Sequence, residues 1–149
     1  MRSEAPLKLV GGTGSPYTQK MVALLRYRRI PYSIQWGQPE AACDAMGIDK
    51  PRPIFMPTFF FDGDDGIAAE CDSTPIIRRL EAMYSGRSVL PEDPALAFID
   101  YLIEDFADEW CTKYMFHYRW HFSDDADNAG TLLPCLLYTS DAADEELRV

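Results

Sequence analysis

The 149-residue chain is 47% hydrophobic, 13% aromatic and 26% charged, the balance of an ordinary globular protein with one core and room for a small second domain, not of a disordered or fibrous chain. Its densest apolar run, Ile54 to Phe61, contains Pro57 and falls far short of the roughly 20 residues a membrane helix needs, which excludes a transmembrane reading. The formal net charge of −10 divides into about +1 over residues 1–90 and −11 over residues 91–149, so the second part repels phosphate backbones and anionic lipid and gives nucleic-acid or membrane binding no electrostatic support.

Met1 to Val10 carries Arg2, Glu4 and Lys8 and lacks the apolar stretch of a secretory signal, so the expected compartment is the cytoplasm. Cys43, Cys71, Cys111 and Cys135 form neither a CxxC pair nor a zinc-type spacing and are expected to be free thiols. Leu7 to Val10 reads as a short strand, Gly11, Gly12 and Gly14 as a loop, and Ser15-Pro16 as the opening of a helix reaching about Arg29. Tyr17, Met21, Leu24 and Leu25 share one face of that helix, with Tyr17 expected in the core, and Pro31 stops it. Arg26, Arg28 and Arg29 make its end basic, which reads as a solvated or carboxylate-paired face in preference to an anion site.

Tyr32 to Trp36 alternates as a second strand, parallel to the first through a right-handed crossover. Gln38 to Arg52 is a weakly marked helix or loop. Thr58 to Phe61 and Ile67 to Glu70 flank Asp62-Gly63-Asp64-Asp65-Gly66 and form a hairpin. Asp72-Ser73-Thr74-Pro75 then offers cap oxygens and a first-turn proline to a helix with the stripe Ile76, Ile77, Leu80, Met83 and Tyr84. Ser85 to Pro94 reads as a linker. From Ala95 the pattern is helical for about thirty residues, with Leu96, Ile99, Leu102, Ile103, Phe106, Trp110 and Tyr114 on one stripe.

This β-α-β, connection, β-β-α order, with a polar turn before Ser15-Pro16-Tyr17-Thr18 and with Met56-Pro57 directly ahead of the third strand, resembles the thioredoxin-like fold. With Asp72-Ser73 opening the third helix and a helical region beyond a linker, the chain is similar to the cytosolic glutathione S-transferase family over about residues 7 to 125. The resemblance implies an α/β fold class: a thioredoxin-like βαβ-ββα, glutathione-binding domain at residues 1–84, a linker at 85–94, and a truncated all-helical domain at 95–134. It implies glutathione as co-substrate, a small electrophile as second substrate, no metal and a homodimer. Ser15 would hold the thiol of glutathione as thiolate. The peptide bond before Pro57 would be cis and leave the main chain of Met56 to pair with the cysteinyl part, while Asp72 and Ser73 would bind the γ-glutamyl end.

Physical chemistry gives Ser15 two compatible roles. A thiol with an ordinary pKa of about 8.5 is only about 3% ionised at pH 7, and lowering that value by about two makes it roughly 75% thiolate. A hydroxyl donor at a helix N-terminus, where backbone N–H groups are unpaired, can supply that stabilisation; the same hydroxyl can equally serve as a plain cap. Thr18 is the fallback donor, and Lys50 or Gln38 could meet the glycine carboxylate. A non-catalytic glutathione-binding or interaction module of the same fold is the alternative reading.

Other chemistries find less support. Both sulfurs of a Cys-Pro-Tyr-Cys redox run are replaced, by Ser15 and Thr18, which disfavours dithiol exchange. Gly12-Thr13-Gly14 lacks the third glycine of a dinucleotide fingerprint, and Gln35 and Trp36 stand where its acidic residue belongs. His117 and His121 have the four-residue spacing of a helical metal pair. Aromatic residues interleave with them, however, and packing, exposure or a place in the second-substrate pocket is preferred; Glu104, Asp105, Asp108 and Glu109 read as a solvated face. Finally, Cys135 to Glu145 resembles the reading-frame translation of a sequencing-library adaptor. On that reading the natural chain diverges at or before Cys135, the helical domain is a fragment, and residues 135–149 are an artefactual or disordered tail without function.

Overall fold

The computed structural model describes residues 5–64 and 66–131; the adaptor-like segment Cys135 to Glu145 lies outside the described residues. The chain divides into two compact units, one ending at Val89 and the other beginning at Leu90.

The first unit is built on a mixed four-stranded sheet in the order β2-β1-β3-β4, from β1 (Leu7–Gly11), β2 (Tyr32–Trp36), β3 (Thr58–Gly63) and β4 (Gly66–Glu70). β1 runs parallel to β2 with Leu7 opposite Tyr32, and antiparallel to β3 with Leu9 opposite Phe59. β3 and β4 form the hairpin, with Phe59 opposite Glu70. The inner strands carry the core: in β1 all but Lys8 are buried, and in β3 Thr58, Phe59, Phe60 and Phe61 are buried in succession. Such an unbroken run is what a strand covered on both faces requires. Phe59 and Phe61 pack on one face with Leu9, Met21, Leu25, Ile76 and Leu80, the last four supplied by α1 (Pro16–Arg28) and α3 (Ser73–Met83). On the other face Phe60 and Val10 meet Ala42 and Cys43 of α2 (Pro39–Met46). The result is a three-layer α/β sandwich, a thioredoxin-like arrangement followed by a helical region.

One open alternative is resolved and two local expectations need correction. The weakly marked stretch holds a full helix, α2, with Pro39 in its first turn and Gly47 closing it at φ 66, a proline-first, glycine-last frame. Tyr17 is half-buried and outside the core, because the face of α1 that meets the sheet is set by Met21, Val22 and Leu25 one and two turns later. Met83 is half exposed, leaving Ile76, Ile77 and Leu80 as the buried stripe of α3.

In the second unit Asp93 caps α4 (Pro94–Glu109), its carboxylate accepting from the Ala95 and Leu96 amides at 3.0 and 2.9 Å. α5 (Cys111–Trp120) follows after a break at Trp110, and residues 123–131 are again helical. Neither α4 nor α5 contains a buried residue. The expected apolar stripe is present in sequence but half exposed, Ile103 at 63% and Trp110 at 53%.

Candidate functional site

Strand register brings three loops to one end of the sheet. β1 ends beside the start of β3, where Val10 faces Thr58, and β4 ends opposite Phe59. The turn at 11–15, the segment before Thr58 and the entry to α3 therefore leave the sheet together, and these segments carry Ser15, Met56-Pro57 and Asp72-Ser73.

Ser15 is the N-cap of α1. Its backbone is extended (φ −85, ψ 118) and its Oγ accepts from the Thr18 amide at 3.2 Å. Pro16 has no N–H to satisfy, so the cap and the proline together finish the helix start. The bond uses the oxygen as acceptor, and a hydroxyl also carries one hydrogen to donate. Both roles assigned to Ser15 are thus chemically compatible.

The Met56–Pro57 peptide bond is cis, as is Arg52–Pro53. Pro57 is buried against the sheet while Met56 is half-buried. Met56 Sδ lies only 3.0 Å from where a Cβ on Gly12 would stand, and Ser15 Cβ is 3.9 Å from the same point, so the turn and the proline loop are in contact. A Cβ on Gly11 would fall 2.6 Å from Thr18 Cγ2. Thr18 itself is fully buried, its Oγ1 accepting from the Gly12 amide at 3.3 Å. The fallback role for Thr18 is therefore withdrawn: its hydroxyl lies beneath the glycine turn.

Asp72 caps α3, with its carboxylate accepting from the Thr74 amide at 3.3 Å. Its φ of 79 is in the left-handed half of the map, rare for a residue with a Cβ. Asp72 is exposed, whereas Ser73, the first residue of α3, is buried. The neighbouring Cys71 donates through Sγ to the Pro53 carbonyl at 3.2 Å, tying the proline loop to the start of α3. Burial pushes the Cys71 thiol above its ordinary value, and the nearby Asp72 charge adds to the rise.

The model of the glutathione S-transferase N-terminal domain matches residues 9–88, which include the turn at 11–15, the proline loop and the entry to α3. The chain belongs to the glutathione S-transferase family. No curated protein matches it. The match is to the family's N-terminal domain, and Ser15, Met56, Pro57, Asp72 and Ser73 all fall within it.

The remaining sequence candidates lie elsewhere. Lys50 Nζ pairs with Asp44 Oδ2 at 2.7 Å in an open cleft lined by Asp44, Ile48, Asp49, Lys50 and Arg52, which contains none of the residues above. Of the clustered arginines, Arg28 is buried and pairs with a carboxylate, lying 3.0 Å from Glu81, while the exposed Arg26 donates through Nε to the Tyr32 hydroxyl at 3.0 Å and Arg29 is exposed. His117 and His121 stack at 4.6 Å between ring centroids, with Phe122 edge-on to both. Among the described residues no group of three or more potential ligands surrounds them. Among the described residues no helix is long and apolar enough to cross a membrane. Sequence reasoning missed Lys20, whose Nζ donates to Ser73 Oγ at 3.0 Å. No motif marks it, since the contact joins positions 53 residues apart.

Proposed function

We propose that this chain is a glutathione transferase-like enzyme that holds glutathione at the common end of β1, β3 and β4 and activates its thiol for attack on a small electrophile. The observation that carries the reading is the placement of Ser15 at the N-terminus of α1, in a turn whose Gly12 lies against Met56 of the proline loop. A thiol bound along Met56 would meet a hydroxyl donor and the positive end of a helix dipole, both of which favour thiolate over thiol. Asp72 and Ser73 would take the α-amino acid head of the γ-glutamyl residue. Residues 1–84 form the glutathione domain on this reading, 85–94 the linker, and 95–134 part of a helical domain that supplies the electrophile's pocket; the protein acts in the cytoplasm as a homodimer.

The cap geometry favours a second reading, because an Oγ already engaged by the Thr18 amide can be wholly structural. The protein would then bind glutathione without catalysis. Calorimetric titration with glutathione and turnover of a chloronitrobenzene-type electrophile separate the two. Binding with turnover is expected; binding without turnover selects the non-catalytic module, and absence of binding overturns both. Asp72→Asn should weaken the affinity about tenfold or more by removing a charge that faces the substrate ammonium.

A further inference from the structure

Three hydrogen bonds close into a ring at the start of α1. The Gly12 amide donates to Thr18 Oγ1 at 3.3 Å, the Ser15 amide donates to the Gly12 carbonyl at 3.1 Å, and the Thr18 amide donates to Ser15 Oγ at 3.2 Å. One residue therefore ties both ends of the turn, with its side chain at Gly12 and its main chain at Ser15. Thr18 is 0% exposed, so bulk water does not stand in for its hydroxyl when that group is removed. The glycine beside it makes room for this arrangement: a Cβ on Gly11 would stand 2.6 Å from Thr18 Cγ2 and 2.7 Å from its Oγ1. Gly12 also meets the proline loop, since Met56 Sδ lies 3.0 Å from where a Gly12 Cβ would stand. A helix cap needs only the bond between Ser15 and the Thr18 amide. The two other bonds fix where the capping serine stands relative to Met56.

Resting on the glutathione reading above, we propose that Thr18 is a positioning residue for the transferase reaction: its buried hydroxyl holds Gly12 and, through Gly12, sets the reach of the Ser15 hydroxyl to a thiol bound along Met56. Thr18 itself touches neither the thiol nor the electrophile. A hydrogen bond weakens steeply when it is misaligned, and a site must hold its donors within about 0.5 Å of the productive geometry. Loosening the turn therefore raises the pKa of the bound thiol, while the peptide stays held by residues outside the turn.

The test titrates the thiolate absorbance of bound glutathione against pH in the whole chain, comparing wild type with Thr18→Val, which keeps the branched shape and removes the hydroxyl, and with Thr18→Ser, which keeps the hydroxyl. Thr18→Val should raise the pKa of the bound thiol and lower kcat near pH 7 about threefold or more, with activity regained at alkaline pH and glutathione affinity within about threefold of wild type. Thr18→Ser should restore most of the wild-type curve. In a Ser15→Ala background Thr18→Val should raise the pKa no further, because Thr18 acts only through Ser15. Hydrogen exchange at the Gly12 amide, read in wild type and so independent of whether a variant folds, should be slowed about tenfold or more relative to an open turn. The proposal is overturned if Thr18→Val leaves the thiol pKa in place, the behaviour of a purely structural threonine, if its effect adds to that of Ser15→Ala, or if the Gly12 amide exchanges freely. A wild-type chain that does not bind glutathione, or binds it with the thiol at its free pKa, brings down the glutathione reading and this proposal with it, whereas a lowered pKa that Ser15→Ala raises and Thr18→Val does not removes the assignment of Thr18 alone.

Discussion

At Asp72 backbone and side chain make opposed demands. The left-handed φ of 79 costs a residue with a Cβ about 1–2 kcal/mol, and the side-chain cap on the Thr74 amide returns about 1 kcal/mol. Asparagine has nearly the same shape and keeps a cap oxygen, so Asp72→Asn should stay within about 0.5 kcal/mol of wild type in urea unfolding while its glutathione affinity falls. Alanine offers neither, and Asp72→Ala should lose about 1–2 kcal/mol as well as binding. Equal stability losses in the two variants would mean that the strained backbone is held by its surroundings alone. Asp72 and Ser73 were legible in the sequence because a cap has a signature, Asp-Ser-Thr-Pro before an apolar stripe. The strain was not, since it depends on how β4 delivers the chain to α3.

Among the elements, α1 and α3 are joined at their far ends by a buried charge. The Arg28 side chain is 1% exposed; its Nη2 donates to the Tyr84 carbonyl at 2.6 Å, and Nη1 lies 3.0 Å from Glu81 Oε1. Glu81 Oε1 also accepts from the Val89 amide at 3.1 Å, so one ion pair organises both helix ends and residues 84–89 behind them. Nε and Nη1 of Arg28 lack a well-aligned hydrogen bond, which makes this pair a modest source of net stability. Breaking it is a different matter, because the carboxylate of Glu81 would stay behind without its cation. Arg28→Met should cost about 3 kcal/mol or more, and Arg28→Met combined with Glu81→Leu substantially less; additive losses in urea titration would argue against a coupled pair. The basic cluster announced that α1 ends here, but only the fold shows that Arg28 turns inward while Arg26 stays outside. Strand β3 was the more legible element, since Thr-Phe-Phe-Phe after a proline has few other uses. Helix α2 was obscured because its proline and glycine markers enclose only eight residues.

Over the whole molecule the two units differ in how they use apolar residues. The first buries them on both faces of a sheet, and the second exposes them along α4 and α5. Phe59→Ala, in the fully buried centre of β3, should therefore lose about 3–5 kcal/mol. Ile103→Gln, at a site 63% exposed, should change stability by no more than about 0.5 kcal/mol and should reduce the fluorescence of a hydrophobic dye bound to the chain. A large loss of stability at Ile103 would show that α4 is packed in solution. Helical periodicity in this region was visible in the sequence, yet periodicity reports which residues share a stripe and says nothing of what covers it. The same limit applied at the site: Ser15 and Met56-Pro57 lie in recognisable local motifs, whereas the reach of Lys20 to Ser73 exists only once α1 and α3 lie side by side. All of the proposed chemistry converges on the ionisation of one bound thiol, so the most direct measurement is the ultraviolet thiolate absorbance of glutathione bound to the protein, titrated against pH in wild type and in Ser15→Ala. In wild type the bound thiol should have a pKa well below its free value, and in Ser15→Ala that value should rise towards the free one with glutathione still bound. Identical titration curves, or a wild-type curve matching free glutathione, would contradict it.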